Sequence, residues 1–531
     1  MVPDEQSAKV AEALTLFIRH GLFARASSAS DRAQFRHVMI CEAVHDTLMG
    51  RDRKRLHSHA ADILRSGYLG TPDAAPDVLA EHLRVAERWV ECIQTHLAAS
   101  GDTAAQGAYV ETEGHCEAAL KLIDKVGSPE QRRELQFKLQ VQLGVALTGE
   151  YGYASPRVES AYLSAEAVCG EGAEAEKLYP IIRGLATLNL VRGKLATAYN
   201  LSQQGLALAE RSNRPEFRID AMSVQCYTTL YYGRLADCRT WIERCLALYR
   251  EEQGHGLTYP VPQDAATAAL ALLPTVAWLL GDAHGAEDAI REGLAHVERL
   301  NRDFDRALLH TWIAGTRYTQ RRYDEAEEHA QKAVAISQAV AISQQPRYRE
   351  WYATGLLMSL LAQAARGAAP DCVLQATETC TAFAREGVGL NASYYLWGLA
   401  RGSARAGDGQ TAQYMLAEAF RRAEASEESR MNAELLILGA ELEPDEASAQ
   451  RLLARALHIA DEEGAIATSL RAAVAMVLRS GGAAADLDTA KMTLDVLDGR
   501  APYPAQRDWM HERLAHLRRG LDPQLGTEQR T

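Results

Sequence analysis

The sequence predicts an all-α protein, an α-solenoid of stacked antiparallel helix pairs, and three observations predict it. A short polar break that opens an Ala/Leu-rich amphipathic helix recurs near Gly193, Gly233, Gly281, Arg322 and Gly407. The breaks lie roughly 40 residues apart, a period typical of helical repeat arrays. The third observation is composition, because strong helix formers such as Ala, Leu, Glu, Arg and Gln dominate almost every segment.

Length and composition fit this class. A chain of 531 residues is longer than one compact domain usually is, and a solenoid escapes that limit because each repeat contacts only its neighbours. With 47% hydrophobic and 24% charged residues, the chain is typical of globular rather than disordered proteins. The net charge of −13 argues against nonspecific nucleic-acid binding over the whole surface, although it leaves a local basic face open.

The compartment is predicted to be the cytoplasm. The nine cysteines are irregularly spaced and form no C-x-x-C motif, a pattern typical of reduced, mostly buried thiols. No run of 18 apolar residues occurs, and the acidic N-terminal residues lack an apolar signal core. We therefore expect a soluble protein that does not enter a membrane.

Residues 1–66 form the first predicted domain, a winged-helix-like block. A helix is expected over Ser7–His20, followed by a small β-hairpin within Phe23–Phe35, where short apolar ends flank a turn-rich centre. The next helix carries apolar residues near one face: Val38, Ile40, Ala43, Val44 and Leu48. Glycines and prolines in Ser66–Pro76 mark the end of the block.

Residues 77–480 form the predicted tetratricopeptide-like array, and residues 481–531 are expected to be capping helices and a frayed tail. In such repeats, small residues where two helices cross let the backbones approach. Two units carry them at matching spacings, Ala196, Gly205 and Ala207 in one and Ala286, Gly293 and Ala295 in the other. Because one helix cannot cover its own apolar stripe, the next helix covers it and the stack propagates.

Several boundaries within the array can be predicted from turn residues. The helix that opens at Pro76 is expected to break at Ser100-Gly101-Asp102. Another helix should begin at Pro129, with proline at its first position. Two longer loops are expected at 149–156 and 253–263, where glycine and proline cluster.

The order of several motifs resembles a known family. G-L-F-A-R from Gly21 and F-R-H-V-M-I-C-E-A-V-H-D-T-L-M from Phe35 are followed by the segment Leu79–Gly101 and by G-Y-A-S-P-R-V from Gly152. With A-L-H-I-A-D-E-E-G-A-I-A-T-S-L-R-A-A from Ala456, this resembles the C-terminal part of bacterial multidomain signalling ATPases. In that family a class III adenylate/guanylate cyclase domain or a DNA-binding domain is often joined to an AAA-type ATPase, a winged helix and tetratricopeptide repeats.

The chain departs from this family in its catalytic motifs. It contains no G-x-x-x-x-G-K-[ST] loop to hold nucleotide phosphates and no acidic metal-binding segments of a cyclase. We therefore expect no enzyme activity in the chain itself, while a full-length or split parent protein would be an ATPase or nucleotide cyclase. The chain is expected to start at the end of the ATPase module, as a split product, a truncated relative or a free-standing part.

The leading functional prediction is a noncatalytic interaction or effector-sensing scaffold in bacterial signal transduction, regulating an ATPase, cyclase or transcription partner. The alternative is a regulatory fragment of an adenylate/guanylate cyclase or ATPase whose catalytic domains lie elsewhere. A third hypothesis is a DNA-binding regulator. The expected partners are a protein or peptide and a small effector, with no membrane, no nucleic acid under the leading prediction, and no cofactor.

Two groups of residues are candidate binding sites. The one dense basic cluster, Arg51, Arg53, Lys54 and Arg55, is either a solvated or docking face or a phosphate contact for nucleic acid. The second group is aromatic, and a concave groove lined by it would hold a peptide or small ligand: Tyr231, Tyr232, Tyr394 and Tyr395. Aromatic residues at helical spacing are more often part of a core.

Metal and redox sites are not predicted. Glu42 and His45 have the Glu-x-x-His spacing of di-iron bundles but no second set. His57 and His59 are two residues apart and so point away from each other on a helix. Cys238 and Cys245 share a helix face and are interpreted as buried thiols rather than a redox pair. No catalytic, cofactor-binding or metal-ligating residue is assigned.

Overall fold

The computed structural model describes residues 4–25, 33–66, 75–170, 172–338, 348–367 and 370–479. Its described residues contain two β-strands, β1 (Phe23–Arg25) and β2 (Ala33–Phe35), and two short 3₁₀ helices, Ile123–Lys125 and Gly254–Gly256. The α-helices are α1 (Asp4–Arg19), α2 (Val38–Thr47), α3 (Gly50–Ser66), α4 (Pro76–Val85), α5 (Trp89–Ala105), α6 (Tyr109–Leu120), α7 (Pro129–Tyr151), α8 (Pro156–Cys169), α9 (Ala175–Val191), α10 (Leu195–Arg211), α11 (Pro215–Tyr231), α12 (Leu235–Glu251), α13 (Ala265–Leu279), α14 (Ala283–Leu300), α15 (Asp303–Thr319), α16 (Tyr323–Ser337), α17 (Arg349–Ala365), α18 (Pro370–Arg385), α19 (Ala392–Arg405), α20 (Gly409–Ser426), α21 (Asn432–Leu442), α22 (Glu446–Glu462) and α23 (Ile466–Arg479). The predicted all-α array of stacked helix pairs is confirmed.

The described chain divides into two compact units. The first comprises Met1–Ala99 and Ala118–Arg132, and the second Ser100–Glu117 and Arg133–Thr531. The predicted boundaries at residues 66, 77 and 480 stay predictions, and the expected capping helices of residues 481–531 lie outside the described residues. None of the described helices is both long enough and apolar enough to cross a membrane.

The first unit contains the predicted hairpin. Strands β1 and β2 pair antiparallel, with Phe23 opposite Phe35, and the rings of these two residues lie 4.3 Å apart. Phe17 of α1 stacks on Phe23 at 5.9 Å. The assignment of this block as a winged helix stays a prediction. A small core nearby joins α3, α4 and α5 through Ala61, Ala80, Leu83 and Cys92.

Sequence reasoning misplaced one break in this region. The helix opened by Pro76 ends at Val85, and the chain turns there with Glu87 at a φ of 59°. Helix α5 then runs without interruption through Ser100-Gly101-Asp102. The three polar residues predicted a break, but one glycine costs a helix only about 1 kcal/mol, which the packing of the flanking apolar residues outweighs.

The recurring breaks of the second unit are the turns inside helix pairs. Gly193, Gly233, Gly281 and Gly407 each follow the first helix of a pair and have φ between 68° and 81°, a conformation that glycine adopts without a Cβ penalty. At the fifth break Arg321 takes this conformation instead, with φ of 63°. The structure adds a turn that the repeat pattern missed, between α17 and α18, where Gly367 has φ of 85°.

Close helix crossings hold the pairs of the second unit together. Tyr162 on α8 is buried against the backbones of α7 and α9, where two glycines face its ring. A Cβ added at Gly184 would lie 2.3 Å from that ring, and one at Gly144 would lie 2.8 Å from it. A large aromatic ring thus fills a space that only glycine leaves open.

Backbone hydrogen bonds join helices and loops of the second unit that lie about 200 residues apart in sequence, and we call this the closure of the array. The last carbonyl of α9, at Val191, accepts hydrogen bonds from the amides of Gly389 and Leu390, both at 2.9 Å. The carbonyl of Tyr231, at the end of α11, accepts one from the amide of Ser429 at 3.0 Å. The last carbonyls of a helix have no partner within the helix, so the loops before α19 and α21 satisfy them. A Cβ at Gly389 would lie 2.6 Å from the Arg192 carbonyl oxygen, which restricts that position to glycine.

Candidate functional site

A cavity lies in the second unit, next to the backbone hydrogen bonds from Leu390 to Val191 and from Ser429 to Tyr231. We call it the inner cavity. Its volume is about 110 Å³. The walls are mostly apolar and strongly aromatic, with rings from Tyr153, Tyr227, Tyr231, Trp312, Tyr394 and Tyr395. Apolar clefts with a few polar groups are typical of ligand sites.

Three charged side chains line the inner cavity, and the first is neutralised. Arg183 on α9 is 4% exposed and donates from Nε to Oδ2 of Asp220 on α11 at 2.8 Å. The hydroxyl of Tyr179 donates to the same oxygen at 2.8 Å. This pair is buried and hydrogen-bonded on both sides, so it braces two helices and adds no net charge to the cavity.

The second charged group, Glu350, lies in the first turn of α17. Its Oε2 accepts a hydrogen bond from the backbone amide of Tyr153 at 3.0 Å, across 197 residues of sequence. Burial raises the pKa of Glu350 to about 7, helped by the charge of Glu386 and opposed by the Tyr153 amide. Among the described residues no cation forms an ion pair with this carboxylate.

The third charged group, Arg430, lies between two tyrosines. Its guanidinium carbon is 5.4 Å from the centroid of the Tyr231 ring and 5.5 Å from that of Tyr394. One terminal nitrogen donates to Oδ1 of Asn391 at 2.7 Å. Cation–π contact of this kind holds an arginine without an ion pair. Arg430 thereby fixes the closing loop against the aromatic wall.

Three of the four tyrosines predicted to line a groove lie in the wall of the inner cavity. Tyr231, Tyr394 and Tyr395 are buried there, and Tyr394 donates a hydrogen bond to the Gly315 carbonyl at 2.9 Å. Tyr232 lies outside it, half-buried and with its ring 5.7 Å from that of Tyr199. Successive residues on a helix point in directions about 100° apart, which separates Tyr231 from Tyr232.

The predicted basic cluster starts α3 in the first unit. Arg51, Lys54 and Arg55 are exposed and Arg53 is half-buried. Lys54 forms an ion pair with Glu87, and Arg55 lies 3.4 Å from Asp52. Half of the cluster is therefore partly neutralised, and its docking role stays a prediction.

The weaker candidates take ordinary positions. Cys238 and Cys245 are fully buried, and burial raises the pKa of the Cys238 thiol to about 12, so both are buried thiols as predicted. His57 Nδ1 is 2.9 Å from His82 Nδ1, while His59 is exposed. Glu42 is exposed, and the side chain of His45 lies outside the described residues.

Sequence reasoning missed the residues that give the inner cavity its chemistry. Glu350 and Arg430 stand in no motif, and each meets its partners only through the closure of the array. Tyr153 belongs to the predicted loop at 149–156, but its hydroxyl donates to Oε1 of Gln263 at 2.7 Å, in the other predicted loop. The two loops rich in glycine and proline were the one sequence feature that could have indicated this site. Nothing in the sequence showed that they contact each other.

Comparison with known proteins gives a general likeness of fold. No protein-family model matches the chain, and no curated protein matches it. Among solved structures, it is similar to a Rap protein complexed with competence and sporulation factor at a TM-score of 0.45 and 10% identity, covering 76% of this chain and 99% of that one. It is also similar to a signal transduction ATPase with numerous domains and a tetratricopeptide repeat sensor from Pyrococcus horikoshii, at a TM-score of 0.37 and 13% identity, covering 97% of this chain and 72% of that one. These scores are too low to carry an argument about function, and the assignment of the fold depends on the helix pairs themselves.

Proposed function

We propose that the chain is a noncatalytic effector-sensing scaffold in which the inner cavity of the second unit is the effector site. The observation that carries this is the cavity itself, which is lined largely by apolar and aromatic side chains with a few convergent polar groups. Its walls come from helices distant in sequence, among them α9, α11, α15, α17 and α19.

A regulatory role follows from how the cavity is built. The same contacts that form its walls also close the array, including the hydrogen bonds from Leu390 to Val191 and from Ser429 to Tyr231. A ligand that binds the closed form better than an open one shifts the population towards closure, by as much as its affinities for the two forms differ. The predicted protein partner would then respond to closure, and we place its binding on another surface than the inner cavity. An ATPase, cyclase or transcription partner in bacterial signalling remains the setting that the sequence favours.

The effector site can be tested by filling the inner cavity with a large side chain. Gly315 on α15 lines the inner cavity, and a Cβ there would meet only the Tyr394 hydroxyl, at 3.8 Å. We expect Gly315→Phe to keep the fold and to abolish binding of a neutral apolar reporter, Nile red, measured by fluorescence titration and by its stoichiometry. The matched control is Gly114→Phe, at an exposed helical glycine with open space around it. Equal binding of the dye by both variants would remove the inner cavity as the site.

A further inference from the structure

Two charged side chains of the inner cavity, Glu350 and Arg430, have no ion pair among the described residues. Arg183 is compensated by Asp220 at 2.8 Å. Arg430 is held by Asn391 and two tyrosine rings. The Glu350 carboxylate has only a backbone amide, and the charge of another carboxylate, Glu386, acts against its ionisation. A buried carboxylate without a cation costs free energy, which a bound cation would recover.

Aromatic residues line the inner cavity together with this carboxylate, among them Tyr153, Tyr227 and Tyr395. Burial, with a smaller contribution from the charge of Glu350, raises the pKa of their hydroxyls. The indole of Trp351, the next residue, lies 6.2 Å from the ring of Tyr153. Its N–H is buried without a hydrogen-bond partner among the described residues. Aromatic faces around a carboxylate are the arrangement that recognises organic ammonium groups.

We propose that the inner cavity binds a small organic cation, an ammonium group on an apolar body, with Glu350 as its counterion. This inference rests on the proposed function, in which the inner cavity is the effector site. The ammonium would lie against Glu350 between the rings of Tyr153, Tyr227 and Tyr395, and the apolar body would extend along the remaining wall. The cavity volume of about 110 Å³ limits the apolar body to a small group.

Other ligand chemistries fit the cavity less well. An anion would meet the Glu350 carboxylate, and the cation without an ion pair in this cavity, Arg430, is already held by Asn391 and two tyrosine rings. Arg430 offers it little attraction, because Glu428 and Glu463 already act on that guanidinium. A neutral apolar molecule such as Nile red can contact the apolar wall, but it leaves the Glu350 carboxylate without a counterion. Charge complementarity therefore selects the cation.

Binding should depend on pH through Glu350. The charged groups that share the inner cavity with it are the guanidiniums of Arg183 and Arg430, and the titratable rings there include Tyr153, Tyr227 and Tyr395. The carboxylate of Glu386 also acts on it. Burial raises the pKa of Glu350 to about 7 in the empty protein. The carboxylate must be ionised to pair with an ammonium, so affinity should fall as the pH drops from 8 to 6. A permanently charged ligand isolates the contribution of Glu350, because then only the protein changes its protonation state.

The test uses matched probes on the whole chain. The cation is benzyltrimethylammonium, and the neutral comparison is neopentylbenzene, its carbon isostere. Trp312 and Trp351 line the inner cavity, so tryptophan fluorescence reports binding and calorimetry confirms it. We expect a cation to bind the wild type more tightly than the isostere. Glu350→Gln should weaken it roughly tenfold or more and remove its pH dependence. The control Glu378→Gln, at an exposed glutamate of α18, should change nothing.

The outcomes separate this inference from the proposed function. Equal affinity of cation and isostere, or of wild type and Glu350→Gln for the cation, overturns the cation proposal. If Nile red still binds and Gly315→Phe still blocks it, the effector site survives that result. If neither the cation nor Nile red binds the wild type, both proposals fail.

Discussion

The segment around α2 in the first unit and the helix stack of the second unit differ in how far they cover their apolar side chains. In the first, Val38, Met39 and Met49 are more than 70% exposed, at 71%, 75% and 75%. In the second, Trp397 and Tyr231 are at most 1% exposed. The difference shows how a repeated helix stack buries apolar side chains. A helix in a stack has a neighbour on each side to cover it, whereas α2, beside a two-stranded hairpin, has little to pack against among the described residues.

The largest effect is expected at the buried ion pair between Arg183 and Asp220 in the second unit. Asp220→Ala removes the partner of Arg183 and the acceptor of the Tyr179 hydroxyl, and leaves a buried charge uncompensated. We expect a loss of about 3–5 kcal/mol in the free energy of unfolding, measured by urea denaturation. Glu243→Ala, which breaks the exposed pair with Arg239, should cost at most about 1 kcal/mol. Similar losses for both would show that burial of the pair does not matter.

The sign of a glycine substitution should distinguish a tight crossing from an open surface. Gly184→Ala places a Cβ 2.3 Å from the ring of Tyr162, and we expect it to destabilise by about 1–3 kcal/mol. Gly114→Ala, in an exposed helix with nothing within 4 Å, should instead stabilise by about 0.5–1 kcal/mol. Thermal unfolding of the two variants measures the difference. A neutral Gly184→Ala would mean that the ring can move.

The pH dependence of stability should have opposite signs in the two units. Hydrogen bonds from Arg88 first, and also from Arg65, lower the pKa of Glu91 in the first unit to about 2. Its stabilising contribution is present above the ordinary value of 4.5 and is lost as the pH falls below it. Burial raises the pKa of Glu350 in the second unit to about 7. Its contribution is therefore greatest below 4.5 and is lost as the pH rises to 7.

Two conservative variants measure these signs. Glu91→Gln should lower the melting temperature at pH 7, and the difference from the wild type should shrink as the pH falls below 4.5. Glu350→Gln should raise the melting temperature at pH 8 relative to the wild type, with no gain near pH 4. The same sign for both variants at pH 7 to 8 would contradict the assigned environments.

The smallest effect is expected at the surface of the first unit. Met39 is 75% exposed, so Met39→Gln should change the free energy of unfolding by at most about 0.5 kcal/mol. Leu357, buried completely on α17, is the comparison, and Leu357→Ala should cost about 2–5 kcal/mol. A large loss at Met39 would mean that α2 is covered in solution, and the contrast between the units would disappear.

Much of the helical framework could be predicted from the chain alone. The breaks at Gly193, Gly233, Gly281 and Gly407 gave the turns inside the helix pairs, because a left-handed residue is a local requirement that glycine meets. Pro129 likewise marked the start of α7. Prediction failed at Ser100-Gly101-Asp102, where a weak local preference met stronger tertiary packing.

The sequence by itself determined the helices, their pairing and the aromatic content of the array, since these follow from periodicity and from conformational preferences over a few residues. Only the tertiary structure decided that the array closes, that Tyr231, Tyr394 and Tyr395 share a cavity, and that Glu350 meets the amide of Tyr153 across 197 residues. The rotation between successive helix pairs sets those contacts. It accumulates from small packing differences at every crossing, and no single motif records their sum.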